Sequence, residues 1–350
     1  MADPHDIPAH LRLSGSGNDH ASPPHEVMER AASWYALLVS GDARPADWED
    51  WQAWLSVHPY HRQAWQYVES VSQQVLSPLH GAADAKLLAA NVGNAQSRAR
   101  ARRRLLLGLG VTAGAGMLGW AARPQGPLEG ITATLGADYR SGIGDIREFT
   151  LPDGSRAWLN TRTALDVAMG GELRRLTLTY GEILVATAHG DPRPFVVDTP
   201  QGRMQALGTR YTVRREAGQT FLAVYEGAVE IRTAGPGGAR VVAAGWQTRF
   251  DRDHIASQSP ADIARQAWAR GELIASDLSV AQVVQELGRY YPGHISLAAD
   301  VAQRRVFGTF PLRDLDGALA MLAQAASLHV RRPLPFWISV ADRAAASPPE

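Results

Sequence analysis

The chain has no cysteine among its 350 residues. That excludes disulfides, thiol nucleophiles and cysteine-ligated zinc. It has no charge excess either: 35 basic residues balance 35 acidic ones. A neutral total argues against a large electrostatic footprint on nucleic acid, so no direct nucleic-acid contact is expected. A nucleophile elbow, a phosphate-binding loop, metal-ligand spacing and a convincing carboxylate pair are also missing, which leaves no cofactor or resident metal to expect. His58 and His61 are spaced HxxH but have no obvious further ligands, and they read as ordinary loop and first-turn residues. Long uncharged runs are scarce too. There is one.

That run is LLLGLGVTAGAGMLGWAA (105–122). At about 1.5 Å per residue it reaches roughly 27 Å, close to the ~30 Å hydrocarbon core of a bilayer. Arg98, Arg100, Arg102, Arg103 and Arg104 precede it and Arg123 follows. The positive-inside rule therefore keeps the N-terminal side in the cytoplasm, with Arg102, Arg103 and Arg104 as the orienting residues. A buried core helix is the rival reading. Glycines 108, 110, 114, 116 and 119 weigh against it, since each costs up to about 1 kcal/mol in a soluble helix. RRxLL at Arg102–Leu106 also looks like a twin-arginine export signal, so the route into the membrane stays open. Gly110 and Gly114 form a weak GxxxG pair.

On the inner side, residues 1–24 lack periodicity and read as a disordered tail. HEVMERAASWYALLVS (25–40) repeats apolar groups three and four apart, and Gly41 is a natural stop. DWEDWQAWLSV (47–57), capped by Asp47, suits a second helix, and YHRQAWQYVESVSQQVL (60–76), after Pro59, a third. Residues 25–80 thus form a small helical domain, and 81–104 a basic linker. Five of the chain's 10 tryptophans lie here: Trp34, Trp48, Trp51, Trp54 and Trp65. Trp34, Trp51 and Trp65 suit the core of a tiny domain. Trp54, off the Trp48–Trp51–Leu55 stripe, is the candidate exposed anchor.

On the outer side, after a linker at 123–144, the period changes to two. Short β-rich runs follow from REFTL (147–151) to RVVAAGWQTRF (240–250), among them GRMQALGTRYTVRR (202–215) and TFLAVYEGAVEIRT (220–233). Such spacing argues for an all-β sandwich, barrel or solenoid over 145–255. Residues 265–340 then read as strand (272–277), helix (279–291), strands (294–298 and 304–310), helix (313–326) and a last strand (328–332). That βαββαβ order is an α+β module of a kind that commonly binds proteins. The fold class is thus multidomain: all-α, one span, all-β, then α+β.

From about residue 25 the chain resembles the FecR family of transmembrane sigma-factor regulators. AASWYALLVSG (31–41) and DWQAWLSVHPYHRQAW (50–65) are similar to its cytoplasmic domain. LPDGSRAWLN (151–160), YGE (180–182), RPFVVDTPQGRMQALGTRYTVR (193–214), VYEGAVEI (224–231) and AAG (243–245) follow its periplasmic β domain. WARGELIASDLSVAQVVQELGRYY (268–291) and VFGTF (306–310) look like its C-terminal secretin/TonB-type module. ILVATA (183–188) departs from the pattern, lacking a small residue followed by an aromatic after Gly-Glu. The resemblance implies an inner-membrane protein whose cytoplasmic tryptophans (Trp34, Trp48, Trp51, Trp54, Trp65) hold an extracytoplasmic-function sigma factor. Its C-terminal module, with Leu287, Tyr290, Tyr291, Phe307 and Phe310 as candidate contacts, would meet the signalling domain of a TonB-dependent outer-membrane receptor for a siderophore or other iron chelate. Periplasmic and intramembrane proteases would then release the cytoplasmic piece.

Several members of that family cleave themselves at a Gly-Thr bond, and Gly208-Thr209 stands at the matching position. The chemistry needs a hydroxyl beside a strained peptide. The plainer reading is a strand glycine marking a bulge. Gly308-Thr309 repeats the dipeptide in the other module and reads as structural. Beyond this one bond no enzymatic activity is expected. The rival functions are a membrane-anchored envelope adaptor and an exported enzyme, neither with a sigma-factor partner.

Overall fold

The computed structural model describes residues 23–40, 43–87 and 137–344. The N-terminal tail, the apolar stretch at 105–122 and Arg102, Arg103 and Arg104 lie outside the described residues. Among those described, no helix is long and apolar enough to cross a membrane. The chain divides into two compact units. One holds Met1–Ala90, Ser276–Phe307 and Asp316–Glu350; the other holds Asn91–Ala275 and Gly308–Leu315. The helical region and most of the C-terminal module, expected as separate domains, therefore fall in one unit.

Three helices open the first unit: α1 (His25–Ser40), α2 (Pro45–Val57) and α3 (Pro59–Leu87). Met28, Ala31 and Ala32 of α1 share a core with Ala64, Val68 and Val71 of α3. The alanines let the two backbones approach closely, and the Tyr35 and Ser72 hydroxyls hydrogen-bond at 2.6 Å across the same pair. α2 starts earlier than Asp47. Pro45 is pre-set for the first helical turn, and Asp47 reaches back to accept from the Arg44 backbone N–H at 2.7 Å. α3 runs beyond residue 76 into the segment read as a linker. Ala82, Ala83, Ala85 and Leu87 favour helix there, against Pro78 and Gly81.

The second unit is a β sandwich. Its strands are β1 (Tyr139–Ser141), β2 (Arg147–Thr150), β3 (Arg156–Leu159), β4 (Thr163–Ala168), β5 (Arg174–Tyr180), β6 (Glu182–Ala186) and β7 (Phe195–Thr199). β8 (Gly202–Ala206), β9 (Arg210–Glu216), β10 (Gln219–Glu226), β11 (Ala228–Thr233), β12 (Ala239–Ala243), β13 (Trp246–Phe250) and β14 (Ser259–Pro260) complete it. One sheet has the order β1-β4-β5-β7-β8-β11-β12 and the other β14-β13-β10-β9-β6-β3-β2. Alternating residues such as Leu176, Leu178, Val197, Met204, Tyr211, Val213, Leu222 and Ile231 fill one shared core. Each buried leucine there stabilises by roughly 1.5–3 kcal/mol relative to exposure. β1 lies inside the segment read as linker, because Tyr139–Ser141 pairs with β4 and forms the edge of its sheet.

The three longest β runs are each cut once. Gly208, Gly227 and Gly245 adopt φ of 74°, 73° and 81°, and at each the chain leaves one sheet for the other. An L side chain resists that conformation and glycine does not. The core-facing positions change phase at two of the cuts: Met204 and Ala206 give way to Tyr211 and Val213 after Gly208, and Leu222 and Val224 to Val229 and Ile231 after Gly227, while Val242 and Phe250 stay in phase across Gly245.

A 3-10 helix (Ile263–Arg270) leads to β15 (Glu272–Ser279), α4 (Val280–Gly288), β16 (His294–Leu297), β17 (Arg305–Pro311), α5 (Leu315–Ala325), β18 (Leu328–Leu334) and β19 (Trp337–Asp342). Ser279 and Gln282 cap α4 reciprocally, at 2.8 and 3.2 Å, as a capping box does. Its apolar face, Val280, Val283, Val284 and Leu287, is buried. The expected βαββαβ order gains a final strand. β19 lies between β16, to which it is parallel, and β18, to which it is antiparallel. Trp337, Ile338, Ser339 and Val340 are all buried, as a central strand requires. Within this unit Leu334, Phe336 and Trp337 join the core of α1 and α3. The Trp337 indole donates to Glu29 at 3.1 Å.

Candidate functional site

The polar residues of the LPDGS and YGE segments end up as clamps inside the sandwich. Asp153 is fully shielded and pairs with Arg174 at 3.1 Å. It also accepts from Ser155 Oγ at 2.8 Å and Ser155 N at 3.0 Å. Ser155 Oγ in turn accepts from Ala188 N at 2.9 Å, tying the turn to the segment after β6. Asn160, at the end of RAWLN, donates to Glu182 of YGE at 2.9 Å, and both are buried. Gly181 is required beside them: a Cβ there would lie 2.2 Å from Thr163 Oγ1.

Among the described residues, the turn between β8 and β9 holds an arrangement with chemical potential. Gly208 takes the left-handed conformation. Thr209 is 5% exposed, and its Oγ1 is buried with no hydrogen-bond partner among the described residues. A buried hydroxyl without a partner loses its interaction with water and gains nothing in return, so such atoms are rare. Both backbone groups of Thr209 are engaged. Thr209 N–H donates to Thr187 Oγ1 at 2.8 Å, and the Thr209 carbonyl accepts from Thr187 N at 3.0 Å and Thr187 Oγ1 at 3.2 Å. From the other side Gly227 presses on the preceding carbonyl. A Cβ on Gly227 would lie 2.1 Å from Gly208 O and 2.9 Å from Thr209 Cγ2. The peptide joining Gly208 and Thr209 is thus held at both ends, with a free hydroxyl beside it. Thr187 and the packing role of Gly227 have no local sequence signal; they follow from strand pairing.

In the helical region the aromatic rings form a chain: Trp48 to Trp51 at 5.8 Å, Trp51 to Trp65 at 4.8 Å and Trp65 to Tyr35 at 5.6 Å between centroids. Trp51 is buried, while Trp34, Trp48 and Trp65 are half-buried. Trp54 is not the exposed anchor its position suggested. Its ring stacks on His61 at 4.4 Å and packs against the core of α1 and α3. The reason is the tight connection at His58–Pro59, which brings His61 back over α2. His61 Nδ1 lies 2.6 Å from the Trp54 carbonyl, which can only accept. Burial lowers the His61 pKa, so the ring is neutral with its proton on Nδ1. His61 is held structurally, and among the described residues no three His, Asp or Glu side chains form a metal-binding group.

Of the C-terminal contact candidates, Leu287, Tyr290 and Phe310 are core residues at 0%, 7% and 1% exposure, so they cannot touch a partner in this fold. Alternation along β17 turns Val306 and Phe310 inward and leaves Phe307 outward, 68% exposed. Tyr291 is half-buried and donates to the Pro335 carbonyl at 2.8 Å.

The family model described as FecR protein matches residues 137–230, from β1 to the start of β11, including the Gly208–Thr209 turn. That stretch is similar to the FecR family. A second family model, described as a domain of unknown function (DUF4880), matches residues 29–71, the tryptophan-rich helices. Two crystal structures of a proposed anti-sigma factor from Parabacteroides distasonis resemble the chain at 21% identity and a TM-score of 0.48. They cover 58% of this chain, and it covers 98% and 97% of theirs. No curated protein matches the chain.

Proposed function

We propose that this FecR-like protein is a single-pass inner-membrane regulator that holds an extracytoplasmic-function sigma factor with its N-terminal helices. The observation that carries this reading is an order: a DUF4880 match at 29–71, a basic-edged apolar stretch at 105–122, and a FecR match at 137–230. A binding unit, an anchor with a direction and a β domain are the parts such a relay needs. The sigma factor would lie against the half-buried rings of Trp34, Trp48 and Trp65, since large amphipathic aromatics make good anchors at protein interfaces. The C-terminal module would meet the signalling domain of a TonB-dependent iron-chelate receptor through exposed residues, Phe307 first. Proteolysis outside and within the membrane would then free the helical piece. Cleavage at Gly208-Thr209 would prepare the chain: the Thr209 oxygen attacks the Gly208 carbonyl carbon, and water opens the resulting ester.

Insertion at 105–122 has a structural consequence. It parts α1 and α3 from β16, β18 and β19, leaving both apolar faces to take other partners.

The test is retention of a sigma factor by the whole chain solubilised from membranes. Wild type retains one, and Trp48→Ala retains at least tenfold less, in keeping with a loss above about 1.4 kcal/mol at an aromatic anchor. A wild type that retains none ends the reading.

A further inference from the structure

We propose that Thr187 is the positioning residue for self-cleavage at Gly208-Thr209, with Gly227 as the surface against which the carbonyl is set. The proposal rests on the self-cleavage reading above and adds what holds the reacting atoms. The bond that forms joins Thr209 Oγ1 to the Gly208 carbonyl carbon. The bond that breaks joins that carbon to Thr209 N, and the hydroxyl proton ends on that nitrogen as it becomes an amine. Water then divides the ester into a Gly208 carboxylate and the restored Thr209 hydroxyl. No oxidant or metal is needed, and water is the one co-reactant.

Such an attack depends on geometry more than on acidity, because the hydroxyl must stand over a carbonyl in its own backbone. Three features set that geometry. Thr187 grips Thr209 on both sides of its Cα, accepting from its N–H at 2.8 Å and giving two hydrogen bonds to its carbonyl. That fixes where the Thr209 side chain starts and leaves its Oγ1 with no competing partner. Gly227, itself at φ 73°, closes on Gly208 O so tightly that only a residue without Cβ fits. Finally, Thr187 is itself anchored. Its neighbour Ala188 donates to Ser155, which is held by Asp153 and through it by buried Arg174. A continuous hydrogen-bonded path thus runs from the shielded ion pair to the peptide that breaks. Once the C–N bond is cut, the Thr187 hydroxyl remains beside the new amine and disfavours its return.

The experiment follows the full-length chain after synthesis, with and without hydroxylamine. Hydroxylamine intercepts the ester and leaves a hydroxamate on Gly208, detectable by mass spectrometry. Thr187→Val keeps the shape and removes the hydroxyl; Thr187→Ser keeps the hydroxyl. The expected result is that Thr187→Val slows ester formation on the order of a hundredfold and that Thr187→Ser restores it to within a few-fold of wild type. A Thr187→Val chain that cleaves at the wild-type rate overturns the proposal. So does equal slowing in Thr187→Val and Thr187→Ser, because then the hydroxyl is not what matters. Should Thr187→Val melt early, Ser155→Ala is the second variant. It loosens the 187–188 segment without touching Thr209, and slowed ester formation supports the proposal while an unchanged rate overturns it. A wild type that yields neither fragment nor hydroxamate defeats the self-cleavage reading itself, an outcome distinct from the others.

Discussion

Asp153 lies in a turn, where an aspartate usually faces water, yet its carboxylate is fully shielded and shared between Arg174 and Ser155. Removing one partner of a buried pair leaves an uncompensated charge, which costs more than the pair ever contributed. Arg174 keeps Asp191 at 3.9 Å, so Asp153→Ala is expected to lose about 1–3 kcal/mol, read by denaturant unfolding; an unchanged stability would show that Asp191 and water compensate Arg174 fully. Thr209 belongs to the same scale. Thr209→Ala removes the attacking oxygen and a hydroxyl that makes no hydrogen bond, so it should give one full-length band where wild type gives two, without loss of stability. A variant that is still cut places the nucleophile elsewhere.

Among elements, the crossings between sheets matter most, and glycine decides them. Gly218 and Gly227 share φ of 73°, but nothing lies within 4 Å of a Cβ on Gly218, whereas one on Gly227 meets Gly208 O at 2.1 Å. Gly218→Ala is expected to cost about 1 kcal/mol from backbone strain alone. Gly227→Ala adds a collision and should cost at least about 2 kcal/mol more, measured by thermal unfolding; equal costs would mean the β8–β9 turn yields freely. The same crossings explain what sequence could and could not show. Residues 147–186 read as strands nearly to the residue because pleat and turn signals agree there. In runs 202–215 and 220–233 the core-facing residues shift from even to odd positions at Gly208 and Gly227, a phase change that marks the breaks, whereas Val242 and Phe250 of run 240–250 stay in phase across Gly245 and hide that one. β19 was hidden by Pro333 and Pro335, which mark a turn and mask the short buried run after it. The Gly-Thr dipeptide was visible in sequence; Thr187, brought to it by the pairing of β6 with β9, was not. Trp54 hides its packing for a related reason, since its ring partner His61 comes from the next helix.

For the whole molecule the question is which parts share a side of the membrane. His294 reports on it. Packed against Tyr67 and Trp337, with His25 nearby, its pKa is pushed down to about 4, first by burial and then by His25. Its folded pKa lies below the usual value of about 6.5. The contribution to packing is therefore complete above about pH 6.5 and declines as the pH falls from there toward 4. For a chain with α1 and α3 seated on β19, thermal stability should fall over that window and His294→Gln should flatten the slope. A profile unchanged by His294→Gln would mean the histidine is hydrated in both states. In a chain inserted at 105–122 the interface is open and His294 should titrate near 6.5.

Sidedness is the central claim, and a chain without cysteine makes it directly measurable. Val57 and Phe307 are both exposed, at 52% and 68%. Val57→Cys and Phe307→Cys each introduce a single thiol into the full-length protein. In intact spheroplasts a membrane-impermeant maleimide should label Phe307→Cys at once and Val57→Cys only after lysis. Equal labelling of the two before lysis would place the tryptophan-rich helices and the C-terminal module on one side, and would contradict the account.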